Sequence, residues 1–150
     1  MDIHIGIAQP QHLSELARLF NEYRLFYQLN DDMPAVVTFI EQRLVRQDSV
    51  LILATDSAGQ GLGFVQMYPQ LSSLDMDEFM VINDLYVTQH ARCVGLGRRL
   101  MEQAIAIAKQ RGYQRLSLET ESVNTKAQSL YESLGFRRDS HYYQYQLLME

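Results

Sequence analysis

The sequence predicts a mixed α/β (α+β) fold, a mostly antiparallel sheet with helices on both faces and one parallel strand pair. Three observations lead there. Short segments alternate apolar and polar residues with period two, longer ones repeat apolar residues three and four apart, and a strand–helix–strand run occupies residues 77–121. A strand, a crossover helix and a second strand make a parallel pair of right-handed connection.

Each element has its own signal. Residues 2–8 alternate isoleucine with polar or small residues, a first strand. After Pro10, Leu13, Leu16, Leu19, Phe20 and Tyr23 recur at helical spacing. A break at 29–34 ends in Pro34, a helix-start proline, and Val36, Phe39, Ile40 and Leu44 then share one face. Strands are expected at 49–56 and 63–69, with the segment between them, including the first Gly-Leu-Gly at 61–63, as a hairpin turn whose glycines supply positive φ. Residues 77–87 are apolar in both phases apart from Asn83 and Asp84, as in a central strand covered on two sides. A long helix comes next, with Leu96, Leu100, Met101, Ala104, Ile105 and Ala108 as its stripe and Gly112 as its cap. Residues 115–121 read as a strand, 124–135 as a helix closed by Gly135, and 141–149 as a final alternating strand.

Composition narrows the function. With 150 residues, 47% of them hydrophobic, and no repeat or linker, the chain is expected to form a single domain, 1–150. No apolar run is long enough for a membrane span, and the amino end lacks the pattern of a signal peptide. One cysteine, Cys93, allows no internal disulfide, which suits the cytoplasm. A net charge of −5 argues against nucleic acid and for a cationic small molecule or basic peptide. The four histidines are scattered, none at metal-ligand spacing with a cysteine, so no metal is expected.

A second Gly-Leu-Gly, residues 95–97, stands in a different setting from the first. It leaves a strand and opens a long helix, where main-chain N–H groups converge and can hold an anion. Arg92, Arg98 and Arg99 add positive charge around it. No Lys-Ser/Thr comes after it, and Leu100 stands where a dinucleotide fingerprint has its third glycine. By itself this pattern also fits a plain strand-to-helix connection.

The surroundings decide between the two. Residues 80–138 resemble the GNAT superfamily of acetyl-CoA-dependent N-acetyltransferases. The family's pyrophosphate motif, Gln/Arg-x-x-Gly-x-Gly/Ala at a helix start, is matched by Arg92, Gly95 and Gly97. Its second motif is matched by Asn124, Ala127, Tyr131, Gly135 and Phe136. The resemblance implies the GNAT fold, with the parallel pair splayed and acetyl-CoA as co-substrate between its strands. Leu85, Tyr86 and Val87 would bond the pantetheine arm through their main chain. The N–H groups from Cys93 through Val94, Gly95, Leu96 and Gly97 to Arg98 would hold the pyrophosphate. Asn124 would border the cofactor as well. A main-chain N–H near Leu85 would polarise the thioester carbonyl.

Tyr131 resembles the family's general acid. A phenol of pKa about 10 gives its proton to a thiolate of about 8.5 uphill by roughly 2 kcal/mol, so its contribution is a hydrogen bond that strengthens as thiolate charge develops. The acceptor amine must lose a proton before attack. Glu119 and Asp84 are the leading bases, ahead of Glu121, which shares a strand face with Glu119. Residues 21–34 would form the acceptor pocket, with Tyr23, Phe26 and Tyr27 as an aromatic wall and Asp31 and Asp32 as cation contacts. The implied reaction is direct transfer from acetyl-CoA to a small cationic amine of polyamine or amino acid type. The alternatives are a protein lysine or N-terminus as acceptor, or a non-catalytic acyl-CoA-binding module. Cys93 sits at the pyrophosphate turn, too far along the motif for an acyl-cysteine. The tyrosine-rich tail would close the sheet or pair across a homodimer. A nucleotide-binding α/β protein, the rival fold, calls for a continuous parallel sheet, which the hairpin and the alternating tail oppose.

Overall fold

The structure is a computed structural model and describes residues 2–149. Two compact units divide the chain, Met1–Glu119 and Thr120–Glu150. The first holds β1 (His4–Ile7), α1 (Leu13–Phe26), α2 (Met33–Arg46), β2 (Val50–Thr55), β3 (Gly61–Ser72), β4 (Asp77–Val87), α3 (Leu96–Gln110) and β5 (Leu116–Leu118). The second holds α4 (Thr125–Ser133).

The five strands lie in chain order. β1 through β4 pair antiparallel, and β4 with β5 parallel, as the strand–helix–strand run requires. Strand alternation gives the sheet two apolar faces. On one, Leu51, Leu53, Phe64 and Tyr86 form a core with Leu16, Ala17 and Leu19 of α1 and Val36 and Ile40 of α2. Phe20 stacks on Phe64 with ring centroids 5.1 Å apart. On the other, α3 packs against β2, β3 and β4. Its buried stripe is Leu96, Leu100, Met101, Ala104, Ile107 and Ala108. Ile107 takes the place expected for Ile105, which is half-buried. Each fully buried leucine or phenylalanine stabilises by roughly 1.5–3 kcal/mol.

Two β-bulges decide the site geometry. Between β2 and β3 the register passes from Ala54–Gly63 to Thr55–Gly61, leaving Leu62 as the extra residue. Between β3 and β4 it passes from Gln66–Asp84 to Met67–Ile82, so Asn83 is the extra residue. A bulge bends its strand and raises its twist. The β5 pairing runs only over Met80–Leu116, Val81–Ser117 and Ile82–Leu118, and stops where that bulge begins. The strand expected over 115–121 is shortened to three residues for this reason, and β4 runs on to Val87 without it.

Two expectations fail. Gly61 and Gly63 belong to β3, and neither has positive φ. The reversal lies at 56–60: Asp56 Oδ1 accepts from the N–H groups of Ala58 and Gln60 at 2.9 Å, and Gly59 carries φ +84°. The second failure is residues 141–149, which form no strand. Alternation supports a strand only when a neighbour completes the ladder and one face is buried. Here Tyr142, Tyr143 and Tyr145, which fall in both phases, are 85%, 88% and 90% exposed.

Candidate active site

Asp84 is the charged residue buried in the apolar run of β4, 9% exposed. Its side chain accepts from Asn83 Nδ2 at 3.0 Å and from Tyr23. Burial raises its pKa above the usual carboxylate range, and the bonds from Asn83 and Tyr23 only partly offset that. The carboxylate borders a cavity of ≈410 Å³ with Phe20, Tyr23, Tyr27, Phe39 and Tyr68 as its aromatic wall. Arg24, Leu29 and Asn83 complete the lining. Burial, and then the charge of Asp84, push the Tyr68 phenol up to about 12, so it stays protonated at neutral pH. A carboxylate of raised pKa among aromatic faces can attract an ammonium and take a proton from it.

The next residue along serves the other side of the strand. Thr88 donates its N–H to Leu62 O across β3–β4 at 2.9 Å. By alternation Tyr86 turns its main chain to Phe64, while Leu85 and Val87 turn theirs to the edge that β5 leaves after Ile82. The Asn83 bulge sets this phase. It puts the Asp84 carboxylate in the cavity and the Leu85 N–H at the edge that β5 leaves, one residue apart.

Beyond β4 the chain turns through Cys93 (φ +67°) and Gly95 (φ +79°) into α3. A Cβ on Gly95 would meet nothing within 4 Å, so the space over the turn is open. The first turn of α3 carries no acidic residue, and its N–H groups have no partners inside the helix. An open turn and a positive helix end fit a pyrophosphate. Arg92 is held beside it. Its Nε donates to Val87 O at 2.8 Å, and its guanidinium lies 5.3 Å from the Phe26 ring and 5.6 Å from the Tyr86 ring. Phe26, expected in the acceptor wall, therefore packs on Arg92 and is absent from the cavity lining.

Helix α1 ties these parts together. Glu15 Oε1 accepts from the Gly61 N–H at 2.6 Å, and Arg18 Nη2 donates to Gly61 O at 2.8 Å. Arg18 Nη1 donates to Glu22 Oε2 at 2.6 Å. The other Glu22 oxygen accepts from Tyr86 Oη at 3.1 Å and Thr88 Oγ1 at 2.7 Å. Helix α1 thus grips β3 and β4 through polar contacts.

Asp31 and Asp32 have folding roles. Asp31 accepts from Asn21 Nδ2 at 3.0 Å, and Asp32 caps α2 by accepting from the Ala35 N–H at 3.3 Å. Neither lines the cavity. Glu119 is exposed, one residue past the last paired position of β5. Glu121 lies in the second unit, also outside any strand, so the shared strand face expected for the two does not exist. In that unit Asn124 is the N-cap of α4, accepting from the Ala127 N–H at 3.1 Å. Tyr131 is half-buried, its ring 6.2 Å from that of Phe136. Among the described residues no cluster of three or more His, Cys, Asp or Glu could hold a metal ion, and no helix is long and apolar enough to cross a membrane.

Sequence reasoning missed Phe20, Phe39, Tyr68 and Asn83 as lining residues, and included Arg24 and Leu29 only as members of the 21–34 segment. Tyr68 had a signal, since it comes after Phe64 and Gln66 in one phase of β3. Arg24 had none of its own, because its place depends on how α1 meets the loop after it.

The comparisons with known proteins agree with this geometry. The model of the acetyltransferase (GNAT) family matches residues 14–136. The uncharacterized N-acetyltransferase YhfO of Bacillus subtilis is 39% identical over 143 residues, 95% of each chain. The D-amino-acid N-acetyltransferase HPA3 of Saccharomyces cerevisiae is 31% identical, covering 91% of this chain and 86% of that protein. A crystal structure of a probable acetyltransferase superposes with a TM-score of 0.90 at 36% identity, covering 98% of both chains. The chain belongs to the GNAT family of acetyl-CoA-dependent N-acetyltransferases.

Proposed function

We propose that this protein acetylates the primary amine of a small amino acid-type substrate by direct attack, with both substrates bound at once. The observation that carries this reading is the phase of β4, which opens Asp84 to the aromatic cavity and the Leu85 main chain to the edge that β5 leaves. The name of the yeast relative, an amino acid acetyltransferase, supports an amino acid acceptor over a protein one. The family match runs through both compact units, which supports one catalytic domain.

Acetyl-CoA supplies an acetyl group activated as a thioester. Cys93 through Arg98 hold its pyrophosphate by main-chain N–H groups, with Arg92 alongside, and Leu85 and Val87 hold the arm. Asn124, beyond its capping role, borders the cofactor. The Asp84 carboxylate binds the acceptor ammonium and takes one of its protons. The freed nitrogen lone pair bonds to the acetyl carbon as the carbon–sulfur bond breaks, and the nitrogen's second proton passes to the departing sulfur, which leaves as the thiol. The Leu85 N–H stabilises charge on the carbonyl oxygen, and Tyr131 donates a hydrogen bond to the departing sulfur.

The test is thiol release with an amino acid and amine panel. Intersecting initial-velocity lines are expected, and parallel lines would rule out direct attack. Asp84→Asn should lower kcat about 10²–10⁴-fold. It should also raise Tm. The folded pKa of Asp84 lies above its unfolded value, so stability is lost as pH rises through the folded pKa; an asparagine never carries that charge. A fall in both activity and Tm would make Asp84 merely structural. Tyr131→Phe should slow turnover by about tenfold or more while acetyl-CoA affinity stays nearly unchanged. Loss of that affinity instead would refute its assigned role.

A further inference from the structure

Acetyl transfer to an amine leaves the acceptor's body unspecified, and the charge inventory of the cavity bears on it. Resting on that function, we infer that the acceptor is a hydrophobic α-amino acid, its ammonium on Asp84, its carboxylate on Arg24 and its side chain against the aromatic wall.

Asp84 is the acidic residue of the lining and Arg24 the basic one. An ammonium drawn out of water needs an anionic partner, and Asp84 provides for one. A polyamine would bring a second cation into a space that already holds a guanidinium. A substrate with one positive and one negative end meets both charges with their opposites.

Arg24 is also fixed in place. Its Nη1 donates to the Asn30 carbonyl at 2.8 Å and its Nη2 to Asn30 Oδ1 at 3.1 Å. Those bonds occupy two of the five N–H donors in the fork and leave others for a carboxylate. Asn30 thereby positions Arg24 from the loop between α1 and α2.

The wall decides the side chain. Five of the nine lining residues are aromatic and a sixth is Leu29. Tyr23 packs edge-on against Tyr27 at 5.3 Å, and Phe20 edge-on against Tyr23 at 5.7 Å, so the wall is rigid and mutually supported. A cavity of ≈410 Å³ falls within the roughly 300–1,000 Å³ range of small-molecule sites, large enough for a single ring and its backbone. A small or polar side chain would leave these faces in contact with water.

The experiment compares kcat/KM for phenylalanine of either hand, phenethylamine, which lacks the carboxylate, and spermidine. Phenylalanine of at least one hand is expected to exceed phenethylamine by about 10–100-fold, the worth of a charge-assisted hydrogen bond. Spermidine should rank below both amines. Arg24→Gln should abolish the preference for phenylalanine over phenethylamine, and Arg24→Lys should restore part of it. Titration calorimetry with phenylalanine alone should show binding weakened by the same Arg24→Gln change. Spermidine as the best acceptor, or Arg24→Gln lowering phenylalanine and phenethylamine equally, would overturn the inference and leave acetyl transfer standing. Acetyl-CoA binding without thiol release for any amine would instead overturn the transfer function itself.

Discussion

The two Gly-Leu-Gly segments have identical letters and need glycine for opposite reasons. In β3 the requirement is space. A Cβ on Gly63 would lie 2.6 Å from the Tyr86 carbonyl oxygen and 3.3 Å from Leu100 Cδ1. A Cβ on Gly61 would lie 2.8 Å from Leu19 Cδ1, on the α1 side, because the extra residue Leu62 turns the two glycines to opposite faces. Before α3 the requirement is torsion. Gly95 stands at φ +79° with nothing near its missing Cβ. One segment uses glycine to bring two strands and two helices together; the other uses it to turn left-handed into α3 with open space over the backbone.

This difference predicts that substitutions rank differently at the two positions. Gly63→Ala should destabilise by about 1–3 kcal/mol, since a carbonyl oxygen in a paired strand cannot move aside, and Gly63→Asn should be worse because its side chain is larger. Gly95→Ala should lose about 1–2 kcal/mol through left-handed strain alone, and Gly95→Asn less, because asparagine tolerates that conformation. Urea midpoints for the four variants would check this. The same rank order of alanine and asparagine at both sites would break the distinction. The two Gly95 variants should also raise the KM for acetyl-CoA, and Gly63→Ala, if folded, should not.

The same contrast explains what the sequence could reveal. The continuous apolar runs of β2–β4 and the stripe of α3 were legible because both keep apolar residues wherever the backbone turns a side chain to the core. Asp84 was legible as a charge inside an apolar run. The role of Gly63 was not, since a sequence does not say that Tyr86 will stand opposite it. Paired glycines after a polar stretch resemble a turn, while the turn itself is made by Asp56 and Gly59. The tail at 141–149 has the alternation of a strand, but alternation states only what a strand would bury if a partner were present. Asp31 and Asp32 looked like cation contacts because capping an α-helix and binding an ammonium call for the same residue type.

The smallest predicted effect concerns the helix that reaches both segments. Near its start α1 holds Gly61 through Glu15 and Arg18; at its last residue, Phe26 lies over Arg92, three positions before Gly95. An exposed cation–π contact contributes about 0.5–1 kcal/mol. Phe26→Ala should therefore raise the KM for acetyl-CoA about two- to fivefold and leave the KM of the amine unchanged. The opposite split would return Phe26 to the acceptor wall, where its sequence neighbours Tyr23 and Tyr27 stand. A rise in neither would mean that the bond from Arg92 Nε to the Val87 carbonyl holds the arginine without help from the ring. The expected split would make α1 a brace at two points: Glu15 and Arg18 hold the start of β3, and Phe26 steadies Arg92 before the turn into α3.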